Sequence, residues 1–123
     1  MNGKVDAGER TLSILEHMLE DAQDVATFIL EAESYDSFRK DVKAQKAVIM
    51  SLLNIGELAH HLPVEYQEKY PEIPWRRMIG MRNLAAHGYH KMRLETVWET
   101  ARVFIPELIK FLQTQVSVND GFL

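Results

Sequence analysis

Apolar residues recur at steps of three and four along most of the chain, the period of helices lying against a shared core. Leu12, Leu15, Leu19, Ala22, Ala26 and Ile29 make one continuous stripe, opened by the capping-box pair Asp6 and Glu9. A first helix is predicted over about residues 6–31. Ser34 to Ser37 is a break. A second helix is predicted from about Ser37 to His60, with Phe38, Val42, Ile49, Leu52, Leu53, Ile55 and Ala59 on its buried side. Each of the two would span roughly 35 Å at 1.5 Å per residue, so they should pair as an antiparallel hairpin. Pro63, Pro71 and Pro74 punctuate the next stretch, a connector over residues 61–73 with room for a helical turn at Val64 to Lys69. Pro74 suits the first position of a third helix, reaching to about Ala86 or His87 with Gly88 as its stop. The last helix is predicted from Leu94 to about Gln115, on a stripe of Leu94, Val97, Trp98, Ala101, Ile105, Leu108 and Phe111 or Leu112. Pro106 lies inside that pattern and should kink or split it. No strand-like alternation or repeat appears. The predicted fold is an all-α bundle of four main helices, one domain over residues 1–123 with loose ends at about 1–5 and 117–123.

Composition narrows this only a little. At 123 residues, 46% hydrophobic and 26% charged, the chain reads as an ordinary globular domain able to bury a core without staples. It has no cysteine, so neither a disulfide framework nor a thiolate metal site is available, which suits a reducing cytoplasm. The N-terminal residues lack the apolar run of a signal peptide, and no stretch reaches the ~18 apolar residues of a membrane span.

Charge changes the picture more. The formal net charge of −4 argues against general nucleic-acid binding. Yet residues 73–94 hold five basic side chains (Arg76, Arg77, Arg82, Lys91, Arg93) and no Asp or Glu. The rest of the chain then carries 9 basic against 18 acidic residues, a formal −9. Such a segregated window can attract a phosphate backbone while the acidic remainder limits promiscuous binding. The same arginines also suit a solvated helix face or pairing with carboxylates elsewhere.

That window contains the segment Gly80-Met-Arg-Asn-Leu-Ala-Ala-His-Gly-Tyr-His90. With seven arginines and five histidines in the chain, about 0.3 Arg-x4-His pairs arise by chance, so the bare spacing says little. Asn directly after the Arg and Tyr two after the His make the full string, Arg82-Asn83-x3-His87-x-Tyr89, far more specific. Arg82 brings a permanent charge and a fork of donors suited to phosphate oxygens. His87 can take and give a proton near neutral pH. On one helix Asn83 and His87 would share a face, with Arg82 reaching round to it. Proton transfer, charge stabilisation at phosphorus and a positioning amide are what a metal-independent ribonuclease needs when the RNA's own 2′-OH attacks. A symmetric dimer would bring two histidines to one site, a base and an acid.

The competing reading is structural: Arg82 pairs with a carboxylate of the second helix such as Glu57, and His87 caps its helix. Gly56, placed mid-helix at a cost of about 1 kcal/mol relative to Ala, points to close packing there. Glu57 beside it is either a solvated charge or an internal partner for Arg82. His60-His61 and His87-x2-His90 are too sparse for a metal site. Trp75, Tyr66 and Tyr70 could stack on bases, although aromatics beside prolines more often pack a connector onto a bundle.

The chain resembles the HEPN superfamily, and within it the HepT-like toxins of minimal nucleotidyltransferase–HEPN toxin–antitoxin pairs. The resemblance runs over about residues 9–113. It is carried by Asp41-Val-Lys-Ala-Gln-Lys-Ala-Val48, Ile55-Gly-Glu57, Pro71-Glu-Ile-Pro-Trp75, Arg82-Asn83-x3-His87-x-Tyr89, and Val97-Trp-Glu99 with Pro106. It implies a helical bundle dimerising around the motif helix, and metal-independent endoribonuclease activity within a type VII-like toxin–antitoxin module. Arg82 and His87 match the family's catalytic pair and Asn83 its polar residue after the Arg. Tyr89 matches the tyrosine that the nucleotidyltransferase antitoxin modifies with AMP, adding a bulky anion beside the cationic groove. Arg76, Arg77, Lys91 and Arg93 are candidates for RNA phosphate contacts. The implied partners are RNA, the antitoxin and a second copy of the chain, extending to a larger hetero-oligomer with antitoxin, with no cofactor and no membrane. The alternative function is a non-catalytic HEPN module that binds the nucleotidyltransferase or a nucleotide.

Overall fold

The computed structural model describes residues 7–83 and 93–119, and for residues 7, 118 and 119 only the backbone. All regular structure among them is helical. Helix α1 (Ala7–Ala32) packs along α3 (Val42–His60) and along α7 (Ile105–Asn119). Phe28, Glu31 and Ala32 face Asp41, Lys43, Ala44 and Ala47 across a shallow cavity, so the end of α1 lies beside the start of α3. The expected antiparallel hairpin is present. Leu15, Met18, Ala22 and Val25 are fully buried against Val48, Ile55, Ile105 and Leu112. Met18 and Val25 thus take the centre of the α1 stripe, and the neighbouring Leu19 and Ile29 are only partly buried against the core.

The second predicted helix is divided. Ser34 caps a single turn, α2 (Tyr35–Phe38), by accepting from the Ser37 amide at 3.1 Å. The chain then turns, and Asp41, in an extended conformation, caps α3 by accepting from the Ala44 amide at 3.0 Å. Two side-chain caps seven residues apart outweigh the apolar period that suggested one helix. Val42, at the first turn of α3, is consequently exposed rather than buried. Gln45 is buried and donates to the Phe38 carbonyl across the break. At the end of α1 the backbone reverses at Glu33, with φ 72°, and its amide reaches the Ile29 and Leu30 carbonyls.

The connector carries α4 (Val64–Lys69), as predicted. Tyr66, Tyr70 and Trp75 pack with Phe111 of α7, the Trp75 ring donating to the Tyr70 carbonyl at 2.9 Å and the Tyr66 hydroxyl to Gln115 at 2.8 Å. Burial holds the Tyr66 hydroxyl well above the usual phenol range, so it remains a donor at any physiological pH. These rings fasten the connector to the bundle and do not form an open stacking platform.

Helix α5 (Trp75–Gly80) starts with Pro74 as its cap residue and is much shorter than the predicted third helix. After Gly80 the Met81 and Arg82 amides bond to Met78 and Ile79, three residues back, so the chain tightens into a turn that carries Arg82. The predicted continuation from Leu84 through Ala86, His87 and Gly88 lies outside the described residues. The last predicted helix is one rod of three parts. Helix α6 (Leu94–Glu99) passes into a π-helical turn (Thr100–Phe104) and then into α7. Pro106 cannot donate to the carbonyl four residues back and its ring crowds that carbonyl. Widening the preceding turn relieves both problems without breaking the rod. Helix α7 continues to Asn119, past the end expected at Gln115. No described helix is long and apolar enough to cross a membrane.

Candidate functional site

Gly56 sets the geometry. On α3 it faces the end of α5 so closely that a β-carbon there would lie 2.6 Å from the Met78 carbonyl oxygen and 2.9 Å from the Arg82 nitrogen. Only a residue without a side chain admits this approach, which accounts for a helix-weakening glycine in the middle of α3. The close packing expected at this position is there.

The residue after Gly56 uses the proximity. Arg82 donates through Nε to Glu57 Oε1 at 2.7 Å, while His61, one turn further along α3, lies with Nε2 3.1 Å from Glu57 Oε2. Both carboxylate oxygens are thus engaged, one by each neighbour. The Arg82 hydrogen bond first, and the His61 bond second, hold the Glu57 carboxyl below its ordinary range. The site is open to water: 38% of the Arg82 side chain and 48% of that of Glu57 remain exposed. Among the described residues Arg82 has no further ion-pair partner, and the nitrogen it commits to Glu57 is Nε.

The other predicted site residues fall in different places. Asn83 follows Arg82 and is exposed. Arg76 and Arg77 project from α5 into solvent, and Arg93 precedes α6, also exposed. None of these three arginines has an ion-pair partner among the described residues. Arg77 lines a groove of about 320 Å³ with Pro74, Met78, Met81, Thr96, Thr100 and Phe104, between α5 and the α6–π rod. Arg82 instead addresses α3, so α5 and its turn present cations on two sides. His87, Tyr89, His90 and Lys91 lie outside the described residues. The idea that Asn83 and His87 share one helix face therefore rests on the sequence, and Arg82 itself belongs to a turn.

In the sequence His61 stands out only as half of a sparse metal pair. Its position four residues after Glu57, one turn along the same helix, was the available signal for the contact now seen. Among the described residues no group of three or more His, Asp or Glu side chains gathers as a metal site would.

Residues 15–115 match the family described as HepT-like ribonuclease. The chain belongs to that family. This member is 34% identical over 109 residues to "Putative RNase MJ0127" of Methanocaldococcus jannaschii, covering 89% of each chain. It is 37% identical to "Putative RNase MJ1216" of the same organism over 109 residues, again 89% of each. With "Probable ribonuclease HepT" of Thermococcus cleftensis it shares 38% identity over 74 residues, 60% of this chain and 67% of that one. No solved structure matches the chain. Family membership makes the all-α bundle that of a HEPN protein, as the sequence motifs implied.

Proposed function

We propose that this HepT-like protein is an endoribonuclease toxin of a toxin–antitoxin module, with residues 1–123 as one HEPN domain, and that it cuts RNA without a metal ion. The observation that carries the reading is Arg82: a guanidinium held through Nε on a side chain that stays 38% exposed, in the least acidic segment of a ribonuclease-family chain. A histidine takes the proton of the RNA 2′-OH, whose oxygen attacks the adjacent phosphorus. Arg82 stabilises the charge that accumulates on the phosphoryl oxygens, and the 5′-oxygen leaves with a proton from an acid. The products are a 2′,3′-cyclic phosphate and a 5′-hydroxyl. His87 fills the proton-transfer role, and in a homodimer the second copy's His87 supplies the complementary one. Asn83 supports the pair. Arg76, Arg77, Lys91 and Arg93 hold flanking phosphates, a sequence-independent contribution that weakens with salt.

Tyr89 is the proposed switch. A nucleotidyltransferase antitoxin joins the tyrosine oxygen to the α-phosphorus of ATP with loss of pyrophosphate, placing a bulky anion where RNA must lie. Mass analysis after incubation with the antitoxin and ATP should show AMP increments that a Tyr89→Phe variant does not acquire.

The deciding experiment is RNA cleavage by purified, unmodified protein in excess EDTA beside His87→Ala and Arg82→Ala variants. Cleavage by the parent, lowered at least about a thousandfold in both variants, is the expected result. Silence from a parent free of AMP would transfer the assignment to a non-catalytic module that binds a nucleotidyltransferase or nucleotide. The neutralisation of Arg82 by Glu57 is what favours that second reading.

A further inference from the structure

We propose that Glu57, braced by His61, is a positioning residue that orients Arg82 so that its two terminal nitrogens face the scissile phosphate; the inference rests on the ribonuclease reading of the same site. An arginine on a turn is ordinarily a mobile side chain with many rotamers. Here three features remove that freedom. The backbones of α3 and the α5 turn touch at Gly56 and Arg82, so the separation of the Glu57 and Arg82 Cα positions is fixed by packing and not by side chains. Glu57 engages Nε, the nitrogen nearest the stem, at 2.7 Å. His61 holds the other carboxylate oxygen and so resists rotation of the carboxylate.

A guanidinium clamped at Nε keeps Nη1 and Nη2 as a planar, two-pronged face, the arrangement that matches two oxygens of one phosphate. Stability alone does not explain the arrangement, because half-exposed ion pairs contribute little to folding. A carboxylate this close to a phosphate site also repels substrate, a cost that makes sense only if holding the arginine is worth more. The depressed titration of Glu57 keeps the clamp charged across the neutral range.

The test uses the full chain and a short RNA oligonucleotide in EDTA, comparing parent, Glu57→Ala, Glu57→Gln, Arg82→Ala and the Arg82→Ala/Glu57→Ala double variant. Glu57→Ala should lower kcat about tenfold to thirtyfold with KM changed less than about threefold, since the loss is one of orientation. Glu57→Gln, which keeps an acceptor oxygen for Nε, should recover much of that loss. In the Arg82→Ala background removal of Glu57 should change nothing more, because positioning acts only through the arginine. Parental kcat in Glu57→Ala, or an equal loss in both backgrounds, overturns the proposal.

A second measurement is independent of turnover. The Arg82 Nε–Hε signal in a ¹⁵N–¹H NMR spectrum should be protected from exchange in the parent and in His87→Ala, and lose protection in Glu57→Ala. A signal indifferent to Glu57→Ala overturns the positioning whatever the activity. A parent that cuts no RNA while the signal behaves as expected overturns the ribonuclease reading instead.

Discussion

Asp36 and Glu57 each pair with an arginine, and they differ in almost everything else. Asp36, on the one-turn α2, reaches Arg39 at 2.8 Å and Lys40 at 3.3 Å, partners three and four residues away on the same turn. Glu57 reaches Arg82, 25 residues along the chain and on another element, at 2.7 Å. The first cluster is a local decoration: removing it leaves α2 capped by Ser34 and α3 capped by Asp41. The second exists only because Gly56 lets two backbones touch. The contact chemistry is the same, so the difference lies in what sets the geometry, local spacing in one case and tertiary packing in the other.

Changing Gly56 should separate the two most sharply. In Gly56→Ala the new methyl meets backbone atoms of Met78 and Arg82 at less than 3 Å, and backbone cannot move aside as a flexible side chain would. Overpacking against backbone costs about 3 kcal/mol and alanine's better helix propensity recovers about 1 kcal/mol, leaving a net loss of about 2 kcal/mol in urea unfolding. Activity should fall further than stability does, because the α5 turn that carries Arg82 is the part displaced. Full parental activity and stability in this variant would mean that the close approach is not what places the arginine.

A smaller effect should appear with pH. The folded-state pKa of Glu57 is lowered from 4.5, so its contribution to stability is present above that value and is lost as pH falls through the depressed one. The difference in urea midpoint between parent and Glu57→Gln should be constant from pH 7 to about 5 and shrink at lower pH. A difference independent of pH down to 3 would show that the charge of Glu57 is not what Arg82 holds.

The least effect belongs to the local cluster. Asp36→Ala should cost no more than about 0.5 kcal/mol and leave RNA cleavage unchanged, as expected for exposed pairs on one turn. A loss of activity comparable to that of Glu57→Ala would erase the distinction between the two pairs.

Much of the bundle was legible beforehand. The stripes of α1 and α7 and the turn at Val64–Lys69 follow from periodicity and proline placement, because a helix must bury one face and proline cannot continue one. The division between α2 and α3 is hidden although its signals, Ser34 and Asp41, stand in the sequence: the apolar period of three and four runs across both caps. The early end of α5 is a different kind of miss. Nothing local forbids a helix from Pro74 onward except the weak propensity of Gly80, and the i to i+3 bonds at Met81 and Arg82 form where the chain meets α3.

The sequence by itself determined the helical class, the cationic window and the Arg82-to-Tyr89 string. These depend on residue type and spacing within a few turns, which is the range over which helix geometry is periodic. Glu57 was visible there only as one of two alternatives, a solvated charge or a partner for Arg82. The tertiary structure decided between them, and it added His61 to the pair. A hydrogen bond across 25 residues depends on where two helices come to rest, and that position is set by the whole core pressing α5 onto a glycine of α3.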